Sequence, residues 1–152
     1  MDIEERLSAL GLILPPSPQP GGIYKPVVIM DKWLFVSGQV PVRNDGTFIT
    51  GKLGEDLDLD QGYQAARQVG LTMLATLKNE IKDLKKIKRL IKTLGMVNSA
   101  PHFIAQPKVI NGFSELMRDL MGEDLGLGAR SAVGMMLPNN VAVEIECIFE
   151  IH

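Results

Sequence analysis

Cysteine, histidine and aromatic residues are all scarce in this chain, and each shortage excludes something. A single cysteine, Cys147, rules out an internal disulfide and fits a reducing compartment. Two histidines beside it would leave a zinc site to be built mostly from carboxylates, so no metal is expected. Long apolar runs are missing as well: none approaches the roughly 18–20 residues of a membrane span. The opening residues MDIEERLSAL are acidic and amphipathic, not basic and then apolar as in a signal peptide. No sign of charge prevails either. The 16 lysines and arginines against 18 aspartates and glutamates give a net −2, so no broad positive field gathers nucleic acid or an anionic membrane. A cytoplasmic protein is expected, with neither a membrane nor nucleic acid as partner.

What is present is an ordinary globular balance, 45% hydrophobic and 22% charged, in a chain of 152 residues that suits one domain. Ile3, Leu7 and Leu10 fall at helical spacing and Gly11 follows as a C-terminal cap. The stretch LPPSPQPGG, 14–22, lacks backbone donors and cannot form a regular element. Residues 1–21 therefore read as a short helix and a proline-rich arm, and 22–152 as the main domain. In the latter, KPVVIMDKWLFVSGQV splits into two apolar runs around Asp31-Lys32, the length of a tight hairpin, and Asp45-Gly46 marks a further turn that a third short strand would flank.

Asp58 or Asp60 is placed to cap a helix over about 60–80, where Tyr63, Ala66, Gly70, Met73, Leu77 and Ile81 recur every three or four residues. The segment 82–97 fits a helix or a strand equally by periodicity. A second long helix follows Pro107, with Val109, Phe113, Leu116, Met117 and Leu120 inward and Gly122 near its end. From Val141 to Ile151 apolar and polar residues alternate cleanly, and Cys147 lies on the apolar side as a small core residue. Strands and helices in this order predict an α+β domain whose two main helices pack on one face of a sheet.

Arg130, in GARSAVGMMLP, is the residue that this pattern does not explain. If 130–136 is a strand, Arg130 shares a face with Ala132, Gly134 and Met136, so a hollow should lie beside the guanidinium. Glu144 follows the LPNN turn and is expected to come within reach. Two readings stay open on these residues: a cross-strand ion pair on a wet sheet face, worth well under ~1 kcal/mol, or a fork that grips a ligand carboxylate through parallel hydrogen bonds. Ser37-Gly38-Gln39 interrupts another apolar run at its end, where glycine lets the backbone approach a ligand and the hydroxyl donates or accepts. Ordinary strand-end chemistry explains it as well.

Taken together, Tyr24, the run Ser37-Gly38-Gln39-Val40-Pro41-Val42, Ala129-Arg130-Ser131, Leu137-Pro138 and Val143-Glu144-Ile145-Glu146 resemble the RidA/YjgF family. Its members are reactive-intermediate imine deaminases, often labelled L-PSP endoribonucleases. The resemblance spans about 22–150, and the N-terminal segment is similar to a less-characterised branch. It implies a chorismate-mutase-like mixed sheet, a homotrimer closed around a central barrel-like core, and sites in clefts between subunits. It also implies that 82–97 holds a strand. By it, Arg130 binds the carboxylate of a 2-imino or 2-enamino acid, while Glu144, Ser37 and Tyr24 arrange water and protons. Gly38, Gln39, Asn111 and Ala132 adjoin the substrate.

Such a hydrolase would release a 2-keto acid and ammonia with no cofactor, because the C=N bond is already electrophilic. The sequence departs from the family pattern at Ala132, where better-known members often carry cysteine, and in a shorter segment from Arg130 to Leu137. A carboxylate-metabolite binding module without turnover and a ribonuclease remain as alternatives. The basic run from Lys82 to Lys92 reads as a solvated face, His102 and His152 as surface residues, and Trp33 with Phe35 as core or subunit interface.

Overall fold

The computed structural model describes all 152 residues, and its elements follow from local chemistry. Helix α1 (Ile3–Ala9) starts at Asp2 in a reciprocal capping box with Glu5, and Gly11 beyond its end has φ +66°. Strands β1 (Val27–Met30) and β2 (Trp33–Gln39) form the hairpin around Asp31-Lys32, with Asp31 taking the left-handed conformation (φ 59°) that the turn needs. Helix α2 (Leu59–Ile81) is capped by Asp58, not Asp60, again through a capping box, here with Gln61. Then come β3 (Ile87–Asn98), α3 (Gln106–Gly126), β4 (Ala129–Met135) and β5 (Val143–Ile151).

The ambiguous segment 82–97 is thus strand from Ile87 onward. Its interaction partners on two neighbouring strands outweigh a periodicity that suits either state. The strand expected beside Asp45-Gly46 does not form: Val42 and Phe48 share one isolated bridge across that turn. Met136 likewise lies past the end of β4, not on its face.

The sheet order is β1-β2-β5-β3-β4, antiparallel throughout except for the β3–β4 pair. The expected mixed α+β sheet is therefore present. Parity decides its two faces. Leu34, Val36, Val143, Ile145, Cys147 and Phe149 point to one side and are buried under α2 and α3. Val28, Met30, Trp33, Phe35, Val133 and Met135 point to the other and are exposed, so Trp33 and Phe35 do not belong to the core of the single chain. The N-terminal segment belongs to the same packed body. Ile3 and Leu7 join the core, Leu12 and Leu14 pack against it, and Lys85 lies 3.5 Å from Asp2.

The two long helices approach until their backbones almost touch. A Cβ at Gly112 on α3 would overlap the carbonyl oxygen of Tyr63 on α2, and backbone cannot turn aside as a side chain can. Gly112→Ala should therefore cost roughly 1–3 kcal/mol of stability in urea titration, despite alanine's better helix propensity. Gly21→Ala, with open space around it, should leave the midpoint where it is.

Candidate functional site

Arg130 sits second in β4, which pairs in unbroken parallel register with β3 from Lys92↔Ala129 to Asn98↔Met135. Its partner Thr93 is buried beside Cys147, which places Arg130 on the helix-covered face. There Arg130 donates to Ser114 Oγ at 3.0 Å and to the Pro107 carbonyl at 3.2 Å, both on α3. Both acceptors are neutral, and no carboxylate comes within 4.0 Å of the guanidinium. The cation is oriented but not neutralised.

The hollow beside it is not where the small residues suggested. A side chain at Gly134 would meet Gln106 and Ser99, and Ala132 packs against the core and lines no cavity of note. The open space lies towards α3 instead: Asn111, Ser114, Glu115, Arg118, Leu127, Gly128 and Arg130 surround about 380 Å³.

Glu144 is not within reach of Arg130, contrary to the expectation from the LPNN turn. Strands β4 and β5 are consecutive in sequence but not in space, because β3 lies between them. Glu144 pairs with Met96, one residue on from Gly95, whose missing side chain faces Ile110 of α3. Alternation then sends Glu144 to the opposite face from Arg130. No cross-strand ion pair between the two exists in one chain.

Around Glu144 a second cavity of about 480 Å³ gathers the remaining expected residues: Tyr24, Ser37, Gly38 and Gln39, with Glu146 and Asn139 beside them. Gly38 lets the carboxylate close in, since a Cβ there would lie 2.5 Å from Glu144 Oε2. The irregularity between Val36 and Gln39 in the β2–β5 ladder bends the strand end at this point. Burial raises the Glu144 pKa above the ordinary carboxylate value, and the negative charge of Glu146 adds to that shift.

The hydroxyl proton of Ser37 is committed to the Lys25 carbonyl at 2.7 Å, so towards a ligand this group accepts. Tyr24 is the reverse: its oxygen accepts from the Gly21 amide at 3.1 Å and its proton is left to donate. Gln39 is buried with both ends engaged, donating to the Ser37 carbonyl and accepting from Thr76, which makes it a strut under the cavity. Asn111, in the Arg130 cavity, is the one further expected residue on that side.

Sequence reasoning missed Ser114, although it stands one turn from Asn111 on the same helix stripe, a signal that was there to use. It also missed that Pro18, Gln19, Pro20 and Gly21 of the arm wall the Glu144 cavity; nothing in a proline-rich string says what it lies against. The thiol of Cys147 is fully buried and pushed up to about 12, so it is no nucleophile. The basic run is spent locally: Lys85 pairs with Asp2, Lys88 with Glu150, and Lys86 donates to the Ile81 carbonyl. His102 caps the Gly54 carbonyl at 2.9 Å on an exposed loop. No helix is long and apolar enough to cross a membrane.

Comparison with known proteins gives the same fold. The family model described as "YjgF/chorismate mutase-like, putative endoribonuclease" matches residues 4–148. Protein Atu1372 of Agrobacterium tumefaciens is 42% identical with a TM-score of 0.88, covering 99% of this chain and 94% of its own. A Shewanella oneidensis structure with the same endoribonuclease description superimposes at TM-score 0.94 with 31% identity, over 99% of this chain and all (100%) of its own. Trypanosoma cruzi protein TCP17 is 36% identical over 151 residues, 99% of this chain and 94% of that protein. At 22% identity and TM-score 0.61, RidA from Psychrobacter shares the fold, covering 89% of this chain and 94% of its own. With its sequence matched over nearly its whole length and its mixed sheet under two helices reproduced, the chain belongs to the YjgF/RidA family.

Proposed function

We propose that the protein hydrolyses 2-imino or 2-enamino carboxylates to 2-keto acids and ammonia, in sites that two copies of the chain complete together. The observation that carries this reading is the guanidinium of Arg130, positioned by two neutral oxygens and left without a counter-ion at an open cavity. A planar fork in that state suits a carboxylate, which it fixes in orientation as well as charge.

Neither cavity is sufficient alone. The Arg130 side has its arginines and one acid, Glu115, held by the Tyr63 hydroxyl, and the Glu144 side has a carboxyl of raised pKa and no cation. Their separation by a strand and a sheet face supports a site assembled between subunits. So does the uncovered apolar face, where Trp33 is 43% and Phe35 40% exposed beside Val28, Met30, Val133 and Met135. Packing three such faces around an axis would bury them as a central core.

In that site Arg130 holds the substrate carboxylate, which brings the C=N carbon against a placed water. The water oxygen bonds to carbon while the C=N π pair passes to nitrogen. Glu144 gives a proton to the nitrogen and takes one from the attacking water. Collapse of the carbinolamine expels ammonia and leaves the keto acid. A carboxyl group whose pKa is raised towards neutrality is suited to both steps. Tyr24 donates and Ser37 accepts at the margin, each with one position already fixed by backbone. Cleavage of RNA finds less support, because a net charge of −2 provides no broad positive field for a polyanion.

The decisive experiment is mixing. Arg130→Ala and Glu144→Gln should each lose roughly a hundredfold or more in keto-acid release from freshly generated 2-aminoacrylate. Co-refolded in equal amounts, they should recover about a quarter of wild-type turnover, the fraction of shared sites that random assortment completes. Recovery no greater than the sum of the parts would defeat the shared site. Sedimentation should give the mass of three 16.7 kDa chains, and Trp33→Glu should lower it by placing charge on the apolar face.

The raised pKa of Glu144 also fixes a sign. Between the ordinary carboxylate pKa and its own higher value, the folded chain holds a proton that the unfolded chain has lost, so stability falls as pH rises through that window. Glu144→Gln should flatten this slope in urea titrations from about pH 4.5 upward, and Glu146→Gln should shift the Glu144 limb of the pH–rate profile to lower pH.

A further inference from the structure

Arg130 does not stand alone at its cavity. Asn111, Ser114, Glu115 and Arg118 follow one another along α3 at the spacing that shares a helix face, and all four line the same hollow as Arg130. Arg118 would ordinarily find Glu115, three residues before it on the same helix face, whereas Asp119, next in sequence, points towards α2. Both acids are taken. Glu115 accepts the hydrogen bond of the Tyr63 hydroxyl from α2, and Asp119 lies 3.9 Å from Arg67. No carboxylate is within 4.0 Å of Arg118. One cavity therefore presents two guanidiniums with no carboxylate within 4.0 Å of either, and the single acid on its wall, Glu115, accepts a hydrogen bond from Tyr63.

We propose that the ligand is a dianion, with its 2-imino carboxylate on Arg130 and a second anionic group on Arg118. The inference rests on the reading that Arg130 holds the reacting end. Spacing sets the size. Arg118 stands one helical turn beyond Ser114 on the same cavity wall, about 6 Å of backbone rise, a scale that suits a dicarboxylate of about five or six carbons. Asn111 and Ser114, lining the same cavity, offer neutral hydrogen bonds to the oxygens of such a chain, whereas one of the seven lining residues, Leu127, is an apolar surface for an aliphatic tail. Tyr63 is a positioning residue here: by holding Glu115 it keeps that carboxylate from competing for Arg118.

The test uses two product-like ligands of equal chain length, 2-oxoglutarate and 2-oxopentanoate, titrated calorimetrically at one ionic strength into wild type, Arg118→Gln and Arg130→Ala. Wild type should bind the dicarboxylate about fivefold more tightly, as one partly exposed ion pair allows. Arg118→Gln should abolish that preference and leave the affinity for 2-oxopentanoate unchanged, and Arg130→Ala should weaken both ligands. If wild type binds both equally, or the preference survives Arg118→Gln, the second anion site falls while the carboxylate clamp stands. If neither ligand binds wild type, or Arg130→Ala leaves both affinities untouched, the clamp falls and takes the second site with it.

Discussion

Arg130 carries a positive charge that its own chain orients and does not cancel. A surface guanidinium usually finds an acid, gains under ~1 kcal/mol, and is uninformative. Here the two acceptors are the Ser114 hydroxyl and the Pro107 carbonyl, which fix the plane of the fork and leave its charge in place. Desolvating a cation without a counter-ion is unfavourable, and half-burial against an open cavity limits that cost while leaving room for an anion. A carboxylate ligand, as proposed, would meet a cation already oriented in the free protein.

The second constraint is topological. The sheet order places β3 between the consecutive strands β4 and β5, and alternation along each strand sends Arg130 under the helices and Glu144 away from them. Parity cannot be adjusted by side-chain motion: moving a residue to the other face needs a one-residue slip or a bulge. The β3–β4 ladder shows neither. Two groups with complementary chemistry are thus held on opposite faces of the sheet, and in the proposed assembly a second copy would unite them.

Local chemistry made much of this fold legible. An aspartate cap at 58 or 60, the Asp31-Lys32 turn, the inward stripes of both long helices and the alternation of β5 are each decided within a few residues, and each is found, the cap at Asp58. What was not legible depended on partners distant in sequence. Of segment 82–97, the part from Ile87 is a strand because β5 and β4 flank it, and its own periodicity allowed a helix equally well. The adjacency of Arg130 to Glu144 was inferred from a short turn, and the insertion of a strand from 40 residues upstream leaves no local trace. At the site, residue types were readable and their commitments were not: the sequence named Ser37 and Gln39, but hydrogen bonds to Lys25 and Thr76 decide which face each offers a ligand.

The separation also explains how one chain maintains both groups in a usable state. Were Arg130 within reach of Glu144 in the same chain, the cation would be neutralised and its field would favour the ionised carboxylate. Instead burial and Glu146 raise the Glu144 pKa without opposition from any arginine, and the cation meets only neutral oxygens. The arm adds to this. Pro18 to Gly21 wall the acid's cavity and the Gly21 amide fills the acceptor of Tyr24, while α1, anchored through Ile3 and Leu7, holds the arm in place. Each half of the site is thus built against neutralisation by its own chain, one by a strand inserted between the charges and the other by loss of solvent around an acid. A substrate bearing both a carboxylate and a basic nitrogen is what would satisfy the two together.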